Sequence, residues 1–261
     1  MRAMSESQIF DRRAVRLHRE RAAASVSAVR PVLQECAERL LARLDDVTRS
    51  FAHALDLGGR GVVAPLLRAR GIEVVSADLS ARMAALNGPP CLAADEEWLP
   101  FAPESFDLVV ASLSLHWVND LPGALIQIRR ALRPEGLFLA SLPALGTLGE
   151  LRTALTAAEA ELAGGASPRV SPFAELRDLA ALLQRAGFTL PVSDVEEVAL
   201  SYADPLLLLQ DLRAAGETNA TLLRSRGTAH PALFGAALAG LPTRGGRVPV
   251  TLRLATMTGW A

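Results

Sequence analysis

Ala54-Leu55-Asp56-Leu57-Gly58-Gly59-Arg60-Gly61 decides the fold. An apolar strand that ends in an acid, runs into glycines and opens a helix is a nucleotide-handling turn. Glycines let a ligand approach the backbone, and the helix start offers exposed N–H groups. The acid precedes the glycines, which suits a ligand carrying positive charge, such as an amino group. The G-x-G-x-x-G spacing of a dinucleotide fingerprint is absent. A purely structural tight turn is the alternative reading of the same residues.

Working outward, short apolar runs alternate with helical stretches. The pattern predicts strands over 52–57, 73–77, near Leu92, over 106–112 and over 137–142. Helices are predicted over 62–70, 80–86 and from Asn119 or Asp120 to about 132. Strands alternating with helices at this spacing imply a parallel sheet covered on both faces, with right-handed crossovers. Beyond Pro143 the rhythm loosens. Thr147 and Glu150 have capping-box spacing and predict a helix to about 162. Ser171-Pro172 predicts a helix closing at Gly187. A strand over 192–201 follows, then a helix from Asp204-Pro205 to near Gly216 and further helical segments to Gly240. Alternation of Val248, Val250, Leu252 and Leu254 predicts a last strand. Residues 203–247 read as a helical lid inserted before it. Residues 1–50 read as an arginine-rich helical cap on the domain formed by 51–261, with Pro31 marking a break or fresh start. Its arginines read as a solvated face; the alternative is a cap turning them toward an anionic ligand.

The chain has 261 residues, half of them hydrophobic, with 28 acids against 27 bases and a formal net charge of -1. That balance gives no reason to expect nucleic acid as a partner. No apolar run approaches about 18 residues, so no membrane span is expected. The N-terminus lacks the apolar core of a secretory signal, and the expected location is cytoplasmic. Cys36 and Cys91 build neither a disulfide framework nor a zinc cluster. Every base is arginine, which excludes a Schiff-base lysine, a P-loop lysine and a lysine general base. His18, His53, His116 and His230 form no close pair, so no metal ligand is assigned.

Two further acids sharpen the turn. Asp78 ends the second strand about 20 residues after it, where a carboxylate accepts both ribose hydroxyls; a helix N-cap is the plainer role. Asp95 follows the third strand, where it can meet an adenine amino group. Three acids at the carboxyl ends of successive strands form one crevice at the top edge of a sheet.

Asp56-x-Gly58, Asp78-Leu79-Ser80, Asp95-Glu96-Glu97-Trp98-Leu99-Pro100-Phe101 and Phe106-Asp107-Leu108-Val109 resemble the class I S-adenosylmethionine-dependent methyltransferases. Arg129-Arg130-Ala131-Leu132-Arg133-Pro134-Glu135-Gly136 is similar to the family's helix-to-strand junction. The resemblance covers about residues 50–142. It implies a doubly wound α/β fold, Rossmann-like, with a mostly parallel seven-stranded sheet, an antiparallel last strand and adenosylmethionine across its top. The cofactor-binding residues it implies are Asp56, Gly58, Gly59, Gly61, Asp78, Leu79, Met83, Asp95, Glu96 and Ser112. The family turn usually reads Asp-x-Gly-x-Gly-x-Gly. Here it is one residue shorter, or Arg60 and Val62 stand at glycine positions. An arginine at a position needing positive φ costs stability and obstructs a ligand.

A narrower resemblance runs along nearly the whole chain. It rests on Ile9-Phe10-Asp11-Arg12, the stretch Ser114-Leu115-His116-Trp117-Val118-Asn119-Asp120-Leu121-Pro122, Ser167-Pro168-Arg169-Val170-Ser171-Pro172-Phe173, Gly216-Glu217-Thr218-Asn219 and Gly259-Trp260. These look like a branch that includes complex I assembly factors that hydroxylate an arginine of a complex I subunit. More distantly it includes the enzymes of biotin synthesis that methylate malonyl-acyl-carrier protein. The resemblance implies a protein or carrier-protein-bound substrate, with a complex I subunit among the candidates. A non-catalytic assembly factor is the remaining alternative. His116, Trp117 and Asn119 follow the fourth strand near the expected sulfonium and are the candidate catalytic residues. His116 is read either as a base or as pocket wall. Glu217 and Asn219 could cover the pocket from the lid, or cap a helix.

Overall fold

The computed structural model describes residues 8–261 apart from 166, 174 and 226. In chain order the helices and strands are α1 (Arg12–Ala22), α2 (Arg30–Ala42), β1 (His53–Leu57), α3 (Val63–Ala69), β2 (Glu73–Asp78), α4 (Ala81–Ala85), β3 (Cys91–Ala93), β4 (Phe106–Ser112), α5 (Leu121–Ala131), β5 (Leu132–Pro143), α6 (Gly149–Ala163), α7 (Leu176–Arg185), β6 (Thr189–Tyr202), α8 (Pro205–Ala214), α9 (Leu233–Ala239) and β7 (Val248–Trp260). Seven strands form one sheet in the order β3-β2-β1-β4-β5-β7-β6. The first five pair in parallel, and β7 runs antiparallel between β5 and β6. This is the doubly wound α/β arrangement that the strand–helix alternation implies.

Alternation along the central strands builds two cores. Leu108 and Val110 of β4, with Leu137 and Leu139 of β5, pack on the face covered by α2 and α3. Val109 and Ala111, with Phe138 and Ala140, pack on the face covered by α5 and α7. All seven residues of β4 are buried, as expected of a strand in mid-sheet with helices on both sides. A third cluster joins α6, α8 and α9 to the ends of β6 and β7.

Strand order reverses direction between β1 and β4, since β2 lies on one side of β1 and β4 on the other. In open α/β sheets the crevice beyond the carboxyl ends at such a switch point is where ligands bind. Asp56, Gly58, Asp78 and Ser112 all lie at this edge.

Four readings of the later chain are corrected. Thr147 and Glu150 do not form a capping box: α6 begins after Leu148, which is left-handed at φ 55. Instead Thr147 Oγ1 donates to the Arg253 carbonyl and Glu150 accepts from Thr251 Oγ1 at 2.6 Å, so both tie the segment to β7. Ser171-Pro172 stays extended, and α7 starts only at Leu176. The last strand runs on to Trp260 because its second half pairs with buried β5. Beyond Gly216 the described residues hold one helix, α9, rather than a helical series. There α8 closes on Gly216 at φ 78, and the Glu217 N–H returns to the Leu212 carbonyl, a left-handed helix stop that only glycine adopts cheaply.

Candidate active site

The glycine turn is held from below. Asp56 is fully buried, and a Cβ on Gly59 would lie 2.2 Å from its carboxylate. The Gly58 N–H donates to the Ala77 carbonyl at 2.8 Å, and the Gly61 N–H to Asn87 Oδ1 at 2.9 Å. Gly58 has φ 72, and its Cβ would stand 2.6 Å from Ser114 Cβ and 2.8 Å from Arg19 Nη1. Gly58→Ala therefore combines left-handed strain with a clash against backbone-anchored Ser114. A stability loss of about 2–4 kcal/mol is expected in denaturant unfolding; a loss below about 0.5 kcal/mol would contradict this geometry.

Asp56 accepts weakly from Ser76 Oγ at 3.4 Å, while its Oδ1 has no partner among the described residues. Burial, and secondarily the charge of Asp78, push its pKa up to about 7. A carboxyl raised in the folded state favours folding most below its unfolded pKa, near 4, and loses that contribution as pH rises through about 7. Stability should therefore fall between about pH 4 and 7 by several kcal/mol at most, and Asp56→Asn should flatten that slope. Equal slopes in the two proteins would remove Asp56 as the cause.

Two N-terminal arginines, Arg12 and Arg19, turn inward against the solvated-face reading, while Arg13, Arg16 and Arg21 are exposed as that reading expects. Arg12, Val15, Arg19 and Ala22 recur at helical spacing on one face of α1, and Val15, Arg19 and Ala22 are buried. Arg19 Nη1 donates to Asp78 Oδ2 at 2.8 Å and lies 4.0 Å from Glu96. Asp78 Oδ1 accepts from the Ser80 N–H at 2.8 Å. Burial holds the Asp78 carboxyl above its ordinary value, with Arg19 working against that shift. Arg12 pairs with Asp95 at 2.5 Å and with Glu96. The sequence carried the signal in the seven-residue spacing of Arg12 and Arg19, which places both on the helix's apolar stripe.

Arg60 does take positive φ, at 49, and is buried. Its guanidinium goes to Glu217 rather than over the glycines. Glu217 is the hub of the second half of the site. Its Oε2 also accepts from Trp117 Nε1 and contacts His116 Nε2, each at 2.8 Å. Burial pushes the Glu217 carboxyl up, but His116 and Arg60 outweigh it and hold it down to about 2. A carboxylate accepts only, so this contact places a proton on His116 Nε2. Nδ1 is left buried and unpartnered among the described residues.

The separated motifs meet here. Asn119 Oδ1 accepts from the Ile9 and Phe10 N–H groups, each at 2.8 Å, and its Nδ2 donates to the Phe10 carbonyl. Asn119 thus clamps the N-terminal segment. The Phe10 ring packs edge-on to Trp117, with centroids 5.2 Å apart. Asn219 Nδ2 donates to the Pro168 carbonyl at 2.7 Å. Trp117 and Asn219 line a cavity of about 150 Å³. Its walls are mainly apolar, with Val32, Leu113, Leu151, Phe173 and Leu208 among them, and Arg60, His116, Trp117 and Glu217 lie at one end.

Among the sequence-chosen residues, Asp56, Gly58, Gly59, Asp78, Asp95 and Glu96 gather at the crevice. Leu79 borders a cleft with Arg12, Arg16 and Asp95. Gly61 packs on Leu86, away from the crevice acids. Met83 has its side chain fully buried in the core, and its N–H donates to Ser80 Oγ. Ser112 is buried with its Oγ 3.4 Å from Ser141 Oγ. Among the described residues no three His, Cys, Asp or Glu side chains group as metal ligands.

The sheet order and the acid-lined crevice define a protein of the Rossmann-like methyltransferase class. The fold superposes on the YcgJ protein of Bacillus subtilis with a TM-score of 0.58 at 14% identity, covering 85% of this chain and 97% of that one. It also superposes on the [4+2]-cyclase SpnF with a TM-score of 0.54 at 18% identity, covering 87% and 81%. The methyltransferase domain model matches residues 55–140. The chain is 40% identical over 238 residues to the human mitochondrial arginine-hydroxylase NDUFAF5, covering 87% of this chain and 69% of the relative. It is 38% identical to the zebrafish (Danio rerio) protein of that name, covering 87% and 74%. It is 37% identical to the malonyl-[acyl-carrier protein] O-methyltransferase of Halorhodospira halophila, covering 87% and 78%. The chain belongs to the class I S-adenosylmethionine-dependent methyltransferase superfamily, and the cofactor of that superfamily is S-adenosylmethionine.

The crevice fits this cofactor chemically. Asp56 Oδ1, Arg19 Nε and Nη2, and Arg60 Nε are buried polar atoms without partners among the described residues. Gly58 and Gly59 sit where a Cβ would strike the site's own side chains. A carboxylate at Asp78 suits a ribose diol.

Proposed function

We propose that the chain binds S-adenosylmethionine at the Asp56–Asp78 crevice and modifies a side chain or acyl group presented by a protein or carrier protein. The observation that carries this reading is the small cavity beside the crevice. At about 150 Å³ it holds the equivalent of roughly five waters at ~30 Å³ each. That is less than the roughly 300 Å³ or more of a pocket for a free drug-sized ligand. It suits the tip of a larger substrate whose remainder stays outside.

Bound adenosylmethionine supplies a methyl group on a positively charged sulfur. The chain's own residues orient the acceptor and manage its proton. The apolar walls exclude water, and His116 offers Nδ1 to a proton while Glu217 fixes the ring. Trp117 holds Glu217 from the other side. Asp78 receives the ribose, and Asp95 lies toward the base.

A second reading is hydroxylation of an arginine side chain, with dioxygen as oxidant, an external two-electron donor as reductant and the second oxygen leaving as water. It is favoured by the name of the vertebrate relatives and by the way Glu217, itself held by His116 and Trp117, already pairs with a guanidinium, that of Arg60. Intact-mass analysis separates the readings. The purified chain is incubated in air with adenosylmethionine, a two-electron reductant and either malonyl-acyl-carrier protein or an arginine-bearing complex I subunit. Methyl gain on either substrate supports transfer, oxygen gain on the subunit supports the second reading, and unchanged mass on both counts against catalysis on these substrates.

A further inference from the structure

Asp78 has both carboxylate oxygens engaged: Oδ1 by the Ser80 N–H and Oδ2 by Arg19 Nη1, each at 2.8 Å. The Asp78 side chain has no exposed surface, and that of Arg19 has 1%. A ribose can therefore reach Asp78 only by displacing Arg19. The same guanidinium sits over the glycine turn, 2.8 Å from the position of a Cβ on Gly58. Its other two nitrogens, Nε and Nη2, are buried and unpartnered among the described residues. A buried guanidinium using one of its three nitrogens is an incomplete recognition group, because its planar fork is shaped to hold a carboxylate with two parallel bonds.

We infer that Arg19 is an exchangeable plug that becomes the receptor for the ligand's carboxylate. The incoming ribose takes Asp78, and Nη1 is released. The freed fork then receives the α-carboxylate at the amino-acid end of the cofactor. One anion replaces another beside the arginine, so the buried cation stays neutralised throughout. Glu96, 4.0 Å away, remains its constant neighbour. The move is coupled to the rest of the site, because Arg19 Cα packs closely on Gly216, the residue before Glu217. Ligand binding at the crevice thus bears on the residue that orients His116. The inference rests on the cofactor reading above and adds what α1 does in it.

Calorimetric titration tests it without an activity assay. The ligands are S-adenosylhomocysteine and S-adenosyl-3-thiopropylamine, which keeps the nucleoside, thioether and amino group but lacks the carboxylate. The wild-type chain should prefer the first by roughly ten- to a hundredfold. In Arg19→Met the preference should shrink to within about threefold. Plain adenosine should bind that variant at least as well as it binds the wild type, since the plug is gone. A damaged fold would weaken all three ligands, so Arg19→Lys, which keeps the charge without the fork, serves as the milder variant and should lose most of the preference. A wild type with no preference, or a preference that survives in both variants, overturns the inference alone. A wild type that binds none of the compounds overturns the cofactor reading and the inference with it.

Discussion

Glu217→Ala is expected to lower the free energy of unfolding by about 3–5 kcal/mol, the usual cost of stranding one partner of a buried ion pair. The reason is Arg60. Its side chain is 2% exposed, it sits on a left-handed backbone, and Glu217 holds its guanidinium. Arg60 also lies within the field of Arg19, a like charge, and burial holds its own pKa below the ordinary value. Without Glu217 the arginine, which keeps its proton, must swing out of the cavity or open the segment around it. His116 and Trp117 lose their acceptor in the same substitution. Urea unfolding measures the loss; a change under about 1 kcal/mol would mean that the hub does not hold the site together. Glu217→Gln should keep more stability yet still free the His116 ring, so turnover on the true substrate should drop by about a hundredfold or more. Glu217 also gives the stability a pH limb of opposite sign to that of Asp56. Its depressed carboxyl contributes above its unfolded value, near 4.5, and the contribution is lost as pH falls toward about 2.

The half of the site proposed for the nucleoside was legible because its signals are local. A strand, an acid, glycines and a helix start are neighbours in sequence, and a parallel sheet aligns successive strand ends without further information. Asp56, Asp78 and Asp95 follow from that alone. The second half is built from residues more than 100 positions apart, such as Glu217 with His116 and Phe10 with Asn119. Periodicity cannot bring those together. The motif resemblance marked each stretch, yet it could not say that Asn119 holds the N-terminal segment, or that Glu217 is shared by Arg60, His116 and Trp117. Arg12 and Arg19 misled for an energetic reason. Arginines on a helix usually face water, and only the carboxylates at the sheet edge make their burial tolerable. Thr147 and Glu150 misled because their spacing matched a cap, while β7 offered them stronger partners.

Asp78→Asn is the second change of large effect. It keeps the shape of the side chain but removes the charged acceptor. If Asp78 takes the ribose, two charge-assisted hydrogen bonds weaken together, each worth about 1.5–3 kcal/mol. Affinity for adenosylmethionine should fall by about a hundredfold or more. Arg19 then loses its partner too, so the fold of the variant is checked by its circular dichroism before binding is measured.

The most direct test of the whole account is thermal unfolding of the purified chain with and without adenosylmethionine. A ligand at about a hundred times its dissociation constant adds about 2.7 kcal/mol to a native state that alone binds it. For a chain of this size that is a rise of about 5–10 °C. The account predicts that rise in the wild type and its loss in Asp78→Asn at the same ligand concentration. An unchanged midpoint for the wild type in millimolar adenosylmethionine, or an equal rise in both proteins, would contradict it.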